Sequence, residues 1–232
     1  MFTWHLGTSL SNIIKLSEEK NMWALIKDNK IEEIIRFPRS LTINNVKHPK
    51  AIFTKWSWSE LNAIGIYTVE DSAKGDDRFE ITSSPTYTYS ASGKKVSTSY
   101  TKTDKTLTDT NNVDEDGNAI LDYKGNQTVT LGLKSIAKNQ AKETANGLIK
   151  QFNWLVERSI YDSSKTIPSA VGTYVGKIKA DCATIEAAID GASDMAAFKK
   201  LYEWEYNEDG SVKTIAPIQN WSDDYDVKTY IR

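Results

Sequence analysis

The sequence predicts an α+β protein, and three observations carry that expectation. Residues 22–70 hold short apolar runs broken by turn residues, the pattern of a small antiparallel β module. Residues 71–130 are rich in Ser, Thr and Tyr and contain stretches of period two. From Leu131 onward apolar residues recur every three or four positions, the mark of helices with one buried face. The expected organisation is an N-terminal arm (1–21), the β module (22–70), a polar β/loop region (71–130), and a helical region (131–232) that ends in a hairpin and a tail.

Each element has its own signal. In "MWALIKDNKIEEIIRF" two apolar runs flank Asp28-Asn29-Lys30, which reads as a hairpin whose turn residues tolerate left-handed backbone angles. Pro38 stops the second strand, and Asn44-Asn45 centres another strand pair. In "FTKWSWSELNAIGIYTVE", Trp56 and Trp58 alternate with polar residues as in a strand, which would put both rings on one sheet face. Ser59-Glu60-Leu61 then opens a single helical turn closed by Gly65, and Ile66, Tyr67 and Val69 resume a strand. The following segment, "SSPTYTYSASGKKVSTSYTKTDKTLTDTNN", has too few aliphatic residues for its own core, so exposed strands ordered by a neighbouring subunit are expected. Leu133, Ala137, Ala141, Ala145, Leu148, Phe152 and Val156 trace one face of a long helix, whose alanines permit close approach of another helix. Pro168 starts a second helix carrying Val171, Tyr174, Ile178, Cys182, Ile185 and Ile189 on one side. Gly191 ends it, Ser193 caps a short third helix, and Asp209-Gly210 turns a last hairpin.

Composition excludes several functions. The 29 basic and 31 acidic residues nearly cancel, and without a concentrated basic stretch no nucleic-acid partner is expected. The longest apolar runs are a few residues, so no membrane insertion is expected. The N-terminal residues lack the basic start and apolar stretch of a signal peptide, which points to synthesis in a cytoplasm. For the same reason the sequons at Asn126 and Asn220 read as chance matches.

Candidate chemistry is sparse. Cys182 is the single cysteine and lies on a helix's apolar stripe, so a buried thiol outweighs a nucleophile. His5 and His48 do not form a metal-ligand spacing with it. "NVDEDGNAILDY" (112–123) matches the first half of a calcium loop, but Tyr123 stands where a bidentate glutamate is needed, and Asp-Gly reads better as a plain turn. The carboxylate pairs Glu203/Glu205 and Asp223/Asp224 read as solvated faces rather than as the acids of a glycosidase. No cofactor, metal or catalytic residue is therefore expected, and the chain reads as a non-enzyme. Trp56, Trp58 and Trp154, with the row Ala137, Ala141 and Ala145, are the structural or interface candidates. Flat rings also suit sugars, which makes Trp56 and Trp58 the alternative sugar-binding pair.

"MWALIKDNKIEEIIRFPRSLTINNVKHPKAIFTKWSWSELNAIGIYTVE" resembles the N-terminal module of bacteriophage tail-fibre and tail-associated proteins, especially marine ones. In these a short hairpin precedes an aromatic-Ser-x-x-Glu-Leu stretch and a Gly-Ile-Tyr strand. "QFNWLVERSIYDSSKTIPSAVGTYVGKIKADCATIEAAIDGASDMAAFKKLY" is similar to the helical segment of the same proteins. The resemblance covers roughly residues 22–70 and 131–205, as a pattern rather than near identity. Two departures stand out: Gly176 and Lys177 occupy positions where the family carries arginines, and residues 1–21 precede the Met at which the module commonly begins. The resemblance implies a virion component at the tail, made in the host cytoplasm: a fibre, a fibre adaptor or a baseplate-peripheral protein. It implies other tail proteins as partners and a homo-oligomer, with a trimer favoured. The alternatives are a receptor-binding module for host surface polysaccharide and a fibre-assembly chaperone absent from the finished particle.

Overall fold

The computed structural model describes residues 22–231, so the arm 1–21, with His5, and Arg232 lie outside the described residues. The fold is α+β, and the chain forms two compact units. The first takes the described chain to Asp76 and then Thr82–Thr103; the second takes Asp77–Ile81 and the chain from Asp104. These limits differ from the compositional ones at 70/71 and 130/131. The Ser/Thr/Tyr-rich stretch is shared out: its first part completes the N-terminal sheet, and its last part belongs with the helices.

In the first unit, β1 (Met22–Lys27) and β2 (Lys30–Ile35) form the expected hairpin, and β3 (Leu41–Ile43) and β4 (Val46–His48) form the next. Both use two-residue turns with positive φ throughout: Asp28 and Asn29 at 50° and 60°, Asn44 and Asn45 at 50° and 63°. Such turns match the right-handed twist of the flanking strands. Two short helices follow, α1 (Ile52–Lys55) and α2 (Trp58–Ala63), then β5 (Ile66–Glu70). β6 (Glu80–Thr82) pairs with β9 (Lys102–Asp104) where the chain passes between the segments of the two units, and β7 (Thr86–Ser90) with β8 (Lys95–Ser99) forms a further hairpin in the first. The main sheet runs β2-β1-β5-β8-β7, antiparallel except for the parallel β5–β8 pair. Its edge strands β2 and β7 approach one another, which curls it into a half-barrel.

Trp23, Ile35, Ile52, Phe53, Leu61 and Ile66 are buried at the centre of this unit. Val96 and Thr98 on β8 are buried as well, at 0% and 4% exposure. The polar segment, expected to be wet on both faces, thus gives one side of β8 to the core. Thr98 is admissible there because its hydroxyl is satisfied. It donates to Asp71 Oδ1 at 2.7 Å and accepts from the Ser72 amide at 2.8 Å, while Ser72 Oγ donates to the Thr98 carbonyl.

In the second unit, β10 (Thr110–Asn111) pairs with β11 (Val129–Thr130). Four helices follow: α3 (Leu133–Lys150), α4 (Asn153–Tyr161), α5 (Ser169–Gly191) and α6 (Met195–Lys200). The strands β12 (Glu205–Tyr206) and β13 (Val212–Thr214) close the order as the expected hairpin. The six apolar positions read along α5 are all buried, as are Ala137, Ala141 and Ala145 on α3. α3 packs on α5 along that alanine row, where small side chains let the helix backbones come close. Lys138–Asp190 and Lys142–Glu186 ion pairs step in opposite directions along the two helices, so the pair is antiparallel. Partly exposed pairs of this kind add at most about 1 kcal/mol each; the apolar seam holds the helices together.

Two expectations fail here for local reasons. The long helix does not run through Val156: it ends at Gln151, and α4 starts afresh after Phe152. Phe152 and Leu155 stay buried, but Val156 turns outward at 46% exposure. Asp194, not Ser193, caps α6, accepting a hydrogen bond from the Ala197 amide at 2.8 Å. After β13 the chain returns to the helices: Ser222 N–H donates to Asp181, Trp154 Nε1 donates to the Tyr230 carbonyl, and Val227 is buried. Among the described residues no helix is long and apolar enough to cross a membrane.

Ile178 is fully buried, so Ile178→Ala should cost about 2–5 kcal/mol in urea unfolding monitored by far-ultraviolet circular dichroism. Val156→Ala should stay within about 0.5 kcal/mol of the parent. Equal effects of the two would contradict the packing described.

Candidate functional site

The tryptophan pair is not on a strand. Ser57 is the N-cap of α2 and forms a capping box with Glu60: its hydroxyl accepts from the Glu60 amide, and the Glu60 carboxylate accepts from the Ser57 amide at 2.7 Å. These hydrogen bonds to Ser57 lower the Glu60 pKa. Trp56 therefore sits in the break between two helices, and Trp58 is the first residue of the second. The box sends the two rings to different environments. Trp56 is half-buried against the first unit's core, edge-on to His48 at 5.6 Å between ring centroids, whereas Trp58 is 51% exposed. The tryptophan that anchors that core is Trp23, packed on Phe53 at 4.7 Å. Trp154 is held within the second unit by its bond to Tyr230 and by the Arg158 guanidinium over its ring at 5.0 Å. Ala137, Ala141 and Ala145 are occupied by α5 of the same chain, so they do not form a free interface.

The polar clusters resolve into structural clasps. Asp71 accepts from both Thr98 and Tyr100 hydroxyls, which lowers its pKa, and the bond to Asp71 raises that of Tyr100. An aspartate held ionised in this way ties β5 to β8 and is no proton donor near neutrality. Glu205 is engaged by Lys213 and Thr214, while Asp223 faces Lys228 and Asp224 faces Lys177. Glu205, Asp223 and Asp224 thus each point at a cation rather than across a shared substrate position. Burial raises the Cys182 pKa, which keeps the thiol protonated in a groove of about 380 Å³ between α3 and α5. A cleft of about 460 Å³ in the first unit, bordered by Lys27, Asp28, Glu32 and Asn62, has no aromatic wall for a sugar ring. Among the described residues no group of three or more His, Cys, Asp or Glu is arranged to hold a metal ion.

The most unusual surface lies where the calcium-like sequence was noticed. Residues 114–121 and 122–129 follow one eight-residue pattern, Asp-x-x-Gly-Asn-x-x-x, which the sequence reading did not recognise as a repeat. In each copy the Asp carboxylate accepts from the amides two and four residues on: Asp114 from Asp116 and Asn118, Asp122 from Lys124 and Asn126. Gly117 and Gly125 both take φ of 83°, the left-handed position that closes such a turn. The remaining oxygens of both aspartates accept from the Asn118 and Asn126 side chains, so the carboxylates serve as turn caps.

The three strand-like passages close on one another. Asn112 N–H donates to Thr128 O, Thr128 N–H to Ile120 O, and Ile120 N–H to Asn112 O, each between 2.8 and 3.0 Å. The bridges Val113–Ala119, Leu121–Gln127 and Asn111–Val129 are related by the same eight-residue step. The segment is thus a small prism with internal pseudo-threefold symmetry, two of its corners being the turns and the third the chain's point of entry and exit. It is rooted at the start of α3. Gly132 N–H donates to the Asp109 carboxylate, Leu133 N–H to Thr106 O, and Lys134 N–H to Leu107 O, which satisfies amides that a helix start leaves without partners. A Cβ on Gly132 would lie 2.4 Å from the Thr108 backbone, so no other residue fits that contact.

No residue from Thr108 to Leu131 is buried. The projection nonetheless carries Val113, Ile120, Leu121 and Val129 at 42–56% exposure, and Tyr123 at 91%. Val113, Leu121 and Val129 are equivalent positions of the three passages.

Trp23→Ala or Phe53→Ala should cost about 3–5 kcal/mol and Ser57→Ala about 1 kcal/mol, whereas Trp58→Ala should leave the melting transition near that of the parent. Calorimetry of the four variants checks the order. The prism should also respond to acid. Hydrogen bonds from the Asn118 and Asn126 amides lower the Asp114 and Asp122 pKa values below the ordinary 3.8. Their contribution is complete above 3.8 and is lost as pH falls through the lower folded values. The amide resonances of Asn118 and Asn126 should therefore shift together at the acid end of a titration, ahead of residues in α3 and α5. Comparison of the chain with protein-family models, with curated proteins and with solved structures gives no match.

Proposed function

We propose that the protein is a non-catalytic structural component of a bacteriophage tail, a fibre, fibre adaptor or baseplate-peripheral part that helps build the host-adhesion apparatus. The observation that carries this reading is the 110–130 prism, a hydrogen-bonded projection without a core of its own that displays apolar side chains to solvent. Several apolar side chains exposed on one small segment are a feature of protein contacts, which suits a part that joins others. The resemblance of residues 22–70 and 131–205 to tail-associated proteins supports the placement at the tail, and the polar clusters read as clasps are consistent with a part that does no chemistry. On this reading the chain is made in the host cytoplasm, works in the virion, and assembles as a homo-oligomer with a trimer favoured.

Half-exposed Trp58 favours a second reading, a module that binds host surface polysaccharide through an aromatic face. Quantitative mass spectrometry of purified particles separates the possibilities. The structural reading expects the protein in every particle, in a small multiple of three copies per tail. Absence from finished particles would leave an assembly chaperone as the function. Trp58→Ala particles that assemble normally but fail to adsorb would favour the polysaccharide reading.

A further inference from the structure

We infer that the 110–130 prism of one copy docks on the exposed 46–58 segment of the first unit in a second copy of this chain. The inference rests on the structural role proposed above and names one of its contacts.

Two surfaces, one on each unit, are complementary in charge and alike in exposed apolar character. The prism carries Asp114, Glu115, Asp116 and Asp122 against the single ammonium of Lys124. Around those charges stand the outward-facing Val113, Leu121 and Val129. In the first unit, residues 34–60 carry Arg36, Arg39, Lys47, Lys50 and Lys55 against one carboxylate, Glu60, which accepts from the Ser57 amide and hydroxyl at the start of α2. Arg39 is engaged by Glu33 and Arg36 follows the end of β2, so the three remaining cations are the lysines around β4 and α1. The same stretch exposes Val46 at 56% and Trp58 at 51%, at the start of β4 and the start of α2. An acidic, apolar projection and a basic, apolar segment provide both steering and buried area.

Charge also decides against the simplest alternative. Prism against prism would gather four carboxylates from every copy around one axis, with one lysine each to offset them. Polyanions such as nucleic acid would meet the same repulsion at the prism. A contact between two different patches of identical chains is heterologous, and it closes into a ring when the rotation permits. Three copies in such a ring would have three times the 26.1 kDa chain mass.

Sedimentation velocity of the full chain tests this at concentrations up to about 100 μM, enough to saturate contacts of micromolar Kd. The parent should associate at about 50 mM salt and dissociate as salt reaches about 500 mM, where screening is severe. Glu115→Lys with Asp116→Lys, and separately Lys47→Glu with Lys50→Glu, should each raise the association midpoint by at least about tenfold in concentration. All four positions are exposed, and unchanged circular dichroism melts confirm that folding is intact. Mixing the two charge-reversed variants should restore association between unlike copies, because each then offers the complement of the other, although two kinds of chain cannot alternate around a ring of three. The inference is overturned by a parent that stays monomeric, by association that both variants leave unchanged, or by variants that remain apart on mixing. Retention of the protein in virions is measured independently, so failure here leaves the structural role standing.

Discussion

The contact of Gly132 with the Thr108 backbone is the constraint on which the second unit turns. It lets the chain ahead of the prism run directly across the first turn of α3, close enough for two carbonyls and a carboxylate to take up the helix's opening amides. With that end fixed, α3 presents Ala137, Ala141 and Ala145 to α5, and the lysines bordering the row meet Asp190 and Glu186. The same hydrogen bonds clamp the root of the prism. One junction therefore sets both the helix pair that supplies the apolar core and the projection that has none.

The two ways of holding chain in place are physically different. Around α5, order comes from burying large side chains, with Ile178, Leu155 and Ile189 wholly removed from water. In the prism it comes from backbone bonds closed in a triangle and from aspartates that cap their own turns. Exposed hydrogen bonds add little net stability because water competes for each partner. Such a segment holds its shape through the fixed spacing of its turns and through its clamped root, while its apolar side chains are left for contact with something else.

The sequence made the helices legible where one periodicity served one helix. Every apolar position read along α5 is buried, because Pro168 and Gly191 bound an uninterrupted run. The same rule overran at Phe152, since a break that keeps Phe152 and Leu155 inward is invisible to a count of threes and fours. Trp56 and Trp58 were misplaced for a related reason. Alternation suggested a strand, whereas Ser57 and Glu60 at three-residue separation were the start signal of a helix. The strands of the polar middle went astray because Val96 and Thr98 are too few to mark a core face alone; β5 supplies the rest by parallel pairing over long sequence distance. In the prism a partial calcium-ligand pattern overlies a simpler signal, the return of Asp-x-x-Gly-Asn after eight residues. The same turn geometry recurs at Asn207–Ser211, with Gly210 at φ 82°.

The ends of the prism face each other across the Thr110–Thr130 pair, and none of its residues is buried in the rest of the molecule. That makes it a cassette. A recombination event could replace residues 111–129 with a longer, shorter or differently charged insert and leave α3, its root and both apolar cores untouched. Two genes sharing this scaffold would then diverge first in what they hold on to, long before they diverged in how they fold.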